Sequence, residues 1–407
     1  MEKYSMDIEK LKTPYYIFYA DEFINNYHDL ENAMKSVYGN YQIAYSFKTN
    51  YTPAVCNIVK NLGGYAEVVS DMEYQLALKI GFMPEHIVYN GPGKGERLEH
   101  CLLNGGLLNV DNMRELEKVC EIAKNYSNKK IEIGIRVNFD IGNGLQSRFG
   151  LDIENGDFAN ALSMIEKIEN LSVRGLHFHI SRARSLESWK NRIIGMLNLV
   201  EEYKLDNLQY IDLGSGMYGK LDPELQEQFG HTPSFNDYAS EVAGEMAKYY
   251  SNQVKKPMLI TEPGTTIVSK YFHVFMSVLD IKEIRGKYFA LLDGSFHNVG
   301  EICGLKKVPM KIISSSNAEQ YENVDFVGYT CLEQDVIYSG YEGKLALGDR
   351  VEICNVGGYS IVDKPPFIHP DIPIYMILKD NVTCIKREQT IDDIFAPYVF
   401  EIAEVKR

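Results

Sequence analysis

The sequence predicts a (β/α)8 barrel followed by an antiparallel β-domain. Between Tyr41 and Gly264, eight short apolar runs alternate with amphipathic helical patterns. Eight β-then-α units in about 225 residues is the arithmetic of such a barrel. After Gly264 the alternation stops, and strand-like runs follow one another, parted by glycine, proline and Asp/Asn turns. A doubly wound open sheet is the plainer alternative for the first region, and periodicity alone leaves it open.

In chain order, TPYYIFYA (13–20) reads as a strand that can pair with the C-terminal sheet, ahead of the first barrel helix. The barrel strands are QIAYSF (42–47), YAEVV (65–69), HIVYN (86–90), LLNV (107–110), KIEIGIRVN (130–138), VRGLHFHI (173–180), YIDLG (210–214) and MLITEPG (258–264). Their helices are well punctuated. Thr52 can cap a helix with Pro53 at its first position, Val55, Ile58, Val59 and Leu62 share one face, and Gly63-Gly64 stops the run. Ser70 and Glu73 have the spacing of a capping box, with Gly81 as a stop. Phe235 to Tyr250 reads as one long amphipathic helix. The β-domain strands are 271–284, 288–294, 306–313, 324–331, 350–360, 373–378 and 381–388. The implied domains are 23–266 for the barrel, and 1–22 with 267–407 for a sandwich- or barrel-like β-domain.

Composition narrows the function. A chain of 407 residues, 45% hydrophobic, can bury a large core. A net charge of −14 argues against nucleic acid or an anionic membrane as the main partner. No apolar run reaches the roughly 20 residues of a membrane span, and residues 1–16 contain no hydrophobic signal region. Seven cysteines without a C-x-x-C pair suggest reduced thiols in a cytoplasm, and no metal-ligand set is read.

In a barrel, chemistry sits at the C-terminal ends of the strands. There the sequence places Lys48, Glu67, Asn90, Arg136, His177 and His179, Gly214-Ser215-Gly216, and Glu262-Pro263-Gly264. Singly, each is more often structural. Together they suit pyridoxal 5′-phosphate (PLP): a lysine for its aldehyde, a carboxylate for its pyridine nitrogen, an imidazole for its ring face, and glycine backbone for its phosphate. Lys48, Glu262, His179 and Gly214–Gly216 are the candidates for these four tasks.

The pieces YSFKTN (45–50), AEVVSDMEY (66–74), RVNFD and SRFGLD (136–152), GLHFHI (175–180), LGSGMYG (213–219), EPG (262–264), YTCLEQD (329–335) and GDRVEICNVGGY (348–359) stand in the order of a known family. The chain resembles the alanine-racemase-like, fold III group of PLP enzymes, and within it the diaminopimelate/ornithine/carboxynorspermidine decarboxylases. The resemblance covers nearly the whole chain. It implies a cytoplasmic homodimer that decarboxylates an amino acid through a Lys48 Schiff base. Glu67 and Arg136 would form an ion pair near Lys48, His179 would stack on the ring, and Glu262 would bind its nitrogen. The backbones of Gly214, Ser215, Gly216 and Gly264, with Thr265 beside them and the Tyr359 hydroxyl, would hold the phosphate. Cys331, from the partner's β-domain, would be the acid that reprotonates Cα. Arg182 is a further candidate for the phosphate, and His177 reads as a residue that packs or hydrogen-bonds inside the barrel.

Departures from the family pattern concern the substrate. Diaminopimelate decarboxylases carry an arginine directly after EPG and another in the β-domain. Here the first position is Thr265, and residues 291–311 contain no arginine. Leu332 stands where those enzymes and the ornithine enzymes place an acid after the cysteine. The substrate therefore reads as an amino acid or conjugate other than diaminopimelate, with Ser295, His297, Asn298, Leu332 and Glu333 as candidate pocket residues. A carboxynorspermidine-type, citryl-conjugate or carrier-bound substrate is the alternative. A racemase or a non-catalytic PLP-binding regulator stands further off, because Glu262 is a carboxylate where racemases of this fold place arginine.

Overall fold

The computed structural model describes residues 10–314, 317–364 and 366–400. The opening residues read for a signal region therefore lie, up to residue 9, outside the described residues. The chain divides into two compact units. One comprises Ile24–Leu221 and Phe229–Val268; the other takes the chain up to Phe23, Asp222–Gln228, and the chain from Ser269 onward.

Strand β1 (Tyr15–Tyr19) belongs to the second unit. The first unit holds β2 (Tyr41–Ser46), β3 (Tyr65–Val68), β4 (Ile87–Tyr89), β5 (Leu107–Val110), β6 (Ile131–Asn138), the two-residue β7 (Leu151–Asp152), β8 (Leu171–His177), β9 (Tyr210–Asp212) and β10 (Met258–Thr261). All except β7 pair in parallel round a closed circuit of eight strands, with β10 on β2 and β5 on β6 completing it. The open sheet is thereby excluded. Ala44, Val88, Leu107, Tyr210 and Ile260 form a buried cluster inside. A Cβ at Gly175 would meet the Tyr210 ring, so the glycine makes room for its partner tyrosine on the neighbouring strand β9.

The helices follow their local chemistry with three differences. Thr52 stands at the N-cap of helix Pro53–Asn61, but its side chain makes no capping hydrogen bond. Ser70 caps helix Asp71–Ile80 by accepting from the Glu73 N–H, but Glu73 reaches back to the Val69 N–H at 2.7 Å rather than to Ser70, so the box is not reciprocal. The long helix from Phe235 is interrupted by a π-helical turn at Ala239–Ala243 and resumes over Gly244–Tyr249.

The second unit contains β11 (Phe272–Ile284), β12 (Lys287–Leu292), β13 (Met310–Ile313), β14 (Glu319–Val327), β15 (Val336–Leu345), β16 (Arg350–Ile353), β17 (Ile374–Leu378) and β18 (Asn381–Lys386). With β1 they make one sheet of nine strands. The sheet is mixed, which corrects the expectation of an antiparallel one: β1 runs parallel to β17, and β12 parallel to β14. No hairpin ties either pair, so nothing local sets its direction. Strand β15, absent from the sequence reading, carries two glycines and only two buried residues, which hides the alternation that marks a strand.

Candidate active site

Parallel register brings polar residues into one layer at the C-terminal rim of the barrel. Ser46 pairs with Glu67, Arg136 with His177, and His177 with Asp212. Asn90, Asp111 and Glu262 each stand one residue beyond a strand end.

Lys48 lies in the single turn Phe47–Thr49 after β2. Its Nζ is 3.1 and 3.3 Å from the two carboxylate oxygens of Glu67. The lysine side chain is about one-third exposed while Glu67 is fully buried, so the amine stands at a mouth above a fixed anion. Ser46 Oγ donates to that carboxylate at 2.6 Å and Asn90 Nδ2 at 3.2 Å.

The expected Glu67–Arg136 ion pair is not formed. Arg136 donates to Asp111 at 3.3 Å and to the His179 carbonyl at 3.0 Å. The reason is register: Asp111 follows β5, the neighbour of Arg136's strand, whereas Glu67 lies beside the end of β2 and meets Lys48.

Glu262 is buried among neutral donors. Asn90 Nδ2 donates to it at 2.5 Å and His177 Nε2 at 3.4 Å. Asn90 in turn accepts from Asn109 at 2.9 Å, which accepts from the Tyr210 hydroxyl at 2.7 Å. The ligand-type atoms of His177, Asp212 and Glu262 all lie within 4.8 Å of one another. Burial lowers the His177 pKa, keeping the ring neutral against the pull of Glu262. Burial would raise both carboxyls. It does so for Asp212, helped by the nearby Glu262. At Glu262, His177, Lys48 and a hydrogen bond from Asp212 overcome burial and hold the group well below the usual carboxylate range. Burial thus favours the neutral form at Asp212, while its partners favour the charged form at Glu262.

His179 is held neutral by burial, then by the cations Lys48 and Arg136. Its Nδ1 accepts the Ser215 N–H at 3.1 Å, which puts its own proton on Nε2. Gly214 has φ +65°, and a Cβ there would lie 2.5 Å from His179 Cβ, so only glycine lets this loop pass the imidazole. Buried Arg192 donates to the Leu213 and Ser215 carbonyls at 2.7 and 2.9 Å, and Trp189 Nε1 to the Gly216 carbonyl at 3.0 Å. Of the amides expected to meet a phosphate, that of Gly214 is already engaged by Asp212 and that of Ser215 by His179. Arg182 is exposed; Arg192, not weighed from sequence, is the arginine bonded to this loop. Thr265 begins the short helix Thr265–Val268 after Gly264.

In the second unit, Cys331 is exposed on the loop before β15. Asp335, 2% exposed, fixes that loop by accepting from the N–H groups of Phe296 and Thr330 at 2.8 and 3.1 Å and from the Thr330 hydroxyl at 2.5 Å. Leu332 is half-buried and Glu333 exposed on the same loop. Ser295 and Asn298 are buried and cap the turn Phe296–Val299, with the Ser295 N–H donating to Asn298 Oδ1 at 2.9 Å. His297 and Asn298 line a cavity, whereas Ser295 is absent from its lining. Tyr359 is 40% exposed.

Sequence reasoning passed over Asp111, Asn109, Tyr210, Asp212 and Arg192. A polar residue inside an apolar strand, as in LLNV and YIDLG, was the available signal for Asn109 and Asp212.

The residues present suit PLP. A mouth lysine on an anion, a buried ionised carboxylate, a neutral imidazole and the passage at Gly214 that a Cβ would close match its aldehyde, ring nitrogen, ring face and phosphate in chemical type. Comparison with known proteins agrees. Residues 23–269 match the pyridoxal-dependent decarboxylase, pyridoxal binding domain, and residues 195–357 the pyridoxal-dependent decarboxylase, C-terminal sheet domain. A diaminopimelate decarboxylase of Aquifex aeolicus is 27% identical, over 95% of this chain and 91% of its own. The structure of diaminopimelate decarboxylase from Methanocaldococcus jannaschii superposes with TM-score 0.85 at 25% identity, over 97% of this chain and 93% of that one. The same enzyme in complex with L-lysine gives TM-score 0.83 at 25% identity, with the same coverage.

Proposed function

The chain belongs to the pyridoxal-dependent decarboxylases, PLP-dependent carboxy-lyases of amino acids, and from that premise we propose how its residues divide the work and which substrate they select. When bound, PLP supplies the electron sink that lets the bond to the α-carboxyl break. Lys48 would hold the cofactor's aldehyde through its Nζ, which Glu67 keeps at the mouth. Glu262, held anionic against its burial, would pair with the ring nitrogen, and neutral His179 would offer its imidazole to the ring face without competing for that charge. The carboxylate leaves as CO2, and Cys331 returns one proton from Sγ to the same carbon. The observation that carries this reading is the fully buried Glu262 carboxyl, held by His177 and Asn90 at the end of the strand next to that of Lys48. A racemase arrangement would place a cation there.

The same reading makes the substrate an amino acid or conjugate other than diaminopimelate, although relatives carry that name. Thr265 follows Glu262-Pro263-Gly264, residues 291–311 contain no arginine, and Leu332 follows Cys331. A buried remote charge without a partner costs on the order of 3–5 kcal/mol, so these replacements select strongly. The test is CO2 release by the PLP-loaded protein from diaminopimelate, ornithine, lysine, arginine, carboxynorspermidine and citryl-diaminopropionate, with chiral analysis of each. Release from one compound other than diaminopimelate is expected. Release from diaminopimelate overturns the substrate reading, and inversion without CO2 overturns the mechanism. Lys48→Ala is expected to abolish both turnover and the visible absorption of lysine-bound PLP; persistence of either sinks the assignment of Lys48.

A further inference from the structure

The second unit contains a cavity of about 150 Å3 lined by His297, Asn298, Tyr329, Lys364, Phe367 and His369, with Asp371 and Gln389 at its side. A cavity of this volume holds a group of roughly six heavy atoms. Its walls are rings: Tyr329 and His369 are 4.1 Å apart between centroids, and His297 and Phe367 are 5.9 Å apart. Ile368, between two lining residues, has φ +66°, a strained conformation for a β-branched side chain and one held only where its surroundings enforce it.

The polar groups are unbalanced toward donors. The Lys364 side chain is 8% exposed, and its ammonium bonds Asp371 Oδ1. Lys386 takes Oδ2 at 2.5 Å, and the Ile372 N–H donates to Oδ1 at 2.9 Å. Two ammonium groups against one carboxylate leave a net charge of +1. An ammonium has three N–H bonds, so Lys364 keeps donors beyond the one spent on Asp371. Asn298 uses its oxygen on the Ser295 N–H at 2.9 Å, and its side chain also engages the Tyr16 hydroxyl. Gln389 likewise spends its oxygen, on the Asp371 N–H at 3.3 Å. The one carboxylate in the lining is already bonded by two ammonium groups and a backbone N–H.

We propose that this cavity binds a carboxylate group that carries no adjacent ammonium. The excess positive charge of the two lysines and the spare Lys364 and Gln389 donors satisfy its oxygens, and the same excess charge repels an ammonium. The acid is either the remote end of the substrate or a separate small molecule. In the first case the proposal refines the substrate reading above, since the remote end of diaminopimelate carries an ammonium beside its carboxylate.

The test uses the full-length, PLP-loaded protein and saturation-transfer NMR with butyrate, its neutral analogue butyramide, and the zwitterion 2-aminobutyrate. Butyrate is expected to bind at least about tenfold more tightly than the other two, the worth of one charge-assisted hydrogen bond. Lys364→Met should abolish that preference, with Asp371 still paired to Lys386. Asn298→Asp, which keeps the capping oxygen but adds a charge facing the ligand, should abolish it too. Lys48→Ala should not, so failure of the proposed catalysis and failure of this site are separable. Equal binding of acid and amide, no binding at all, or loss of binding in Lys48→Ala overturns the proposal. Competition between butyrate and the turned-over amino acid identifies the substrate's remote end as the occupant; simultaneous binding identifies a separate acid.

Discussion

At the scale of single residues, the charge on Glu262 depends on a proton that Asp212 keeps. Asp212 Oδ1 accepts the Gly214 N–H at 2.9 Å, and burial with the neighbouring Glu262 holds the carboxyl neutral. Asp212→Asn preserves that acceptor and puts an amide N–H where the shared proton was. Asp212→Ala removes both, leaving Glu262 anionic only at the expense of an unshared charge. The asparagine variant is expected to keep turnover within about threefold, and the alanine variant to lose on the order of 100-fold, with its pH–rate profile displaced toward higher pH as Glu262 becomes harder to ionise. Equal loss in both variants would show that Asp212 acts as an anion. This layer was only half legible in the sequence. Lys48, Glu67, Arg136, His179 and Glu262 announce themselves as polar groups at strand ends, but which of them touch is set by strand neighbours. Hence Arg136 meets Asp111 and leaves Glu67 to Lys48. Lys94, ion-paired with Glu115 at 2.7 Å and fully buried, carried no signal at all, because a lysine beside a glycine-rich turn reads as solvent-facing.

At the scale of elements, the N-terminus of helix Asp71–Ile80 shows what local chemistry decides and what packing overrides. The Ser70–Glu73 spacing predicts a cap, and Ser70 supplies it. Packing buries Glu73 to 4% exposure and swings its carboxylate to the Val69 N–H. Burial pushes that carboxyl from 4.5 up to about 7, against the pull of Val69 and Lys48. A carboxyl whose folded pKa lies above its unfolded one contributes stability in full below the unfolded value and loses it as pH rises through the folded value. The wild-type fold therefore weakens between about pH 4.5 and pH 7 relative to a variant that cannot ionise there. Glu73→Gln keeps an oxygen for Val69. It is expected to match wild type in denaturant unfolding near pH 4.5 and to exceed it by about 2–3 kcal/mol near pH 8. A difference that does not change with pH would remove the ionised Glu73 from the account. The barrel strands were readable for the opposite reason: buried on both sides, they are short apolar runs whatever their neighbours. The directions of β1 and β12 against their partners depended on distant pairing that no local pattern encodes.

At the scale of the whole molecule, the open question is whether one chain suffices. Cys331, the proposed proton donor, is exposed on a loop that Asp335 holds rigid. At the end of the described chain, Ile391, Tyr398, Val399 and Phe400 are 67%, 65%, 84% and 77% exposed, large apolar side chains that a lone protomer gains nothing by wetting. Both features fit a homodimer in which the cysteine of one protomer serves the lysine of the other. That arrangement makes a quantitative prediction. Lys48→Ala and Cys331→Ala are each inactive as pure proteins. Mixed in equal amounts and allowed to exchange, half the dimers carry one chain of each kind. Within such a dimer, one site receives both lesions and the other receives neither. Activity should therefore recover to about a quarter of wild type. If lysine and cysteine act within one chain, every site in the mixture carries a lesion and nothing recovers. Sedimentation of the separate variants checks that both still dimerise, so that silence in the mixture counts against the shared site rather than against assembly.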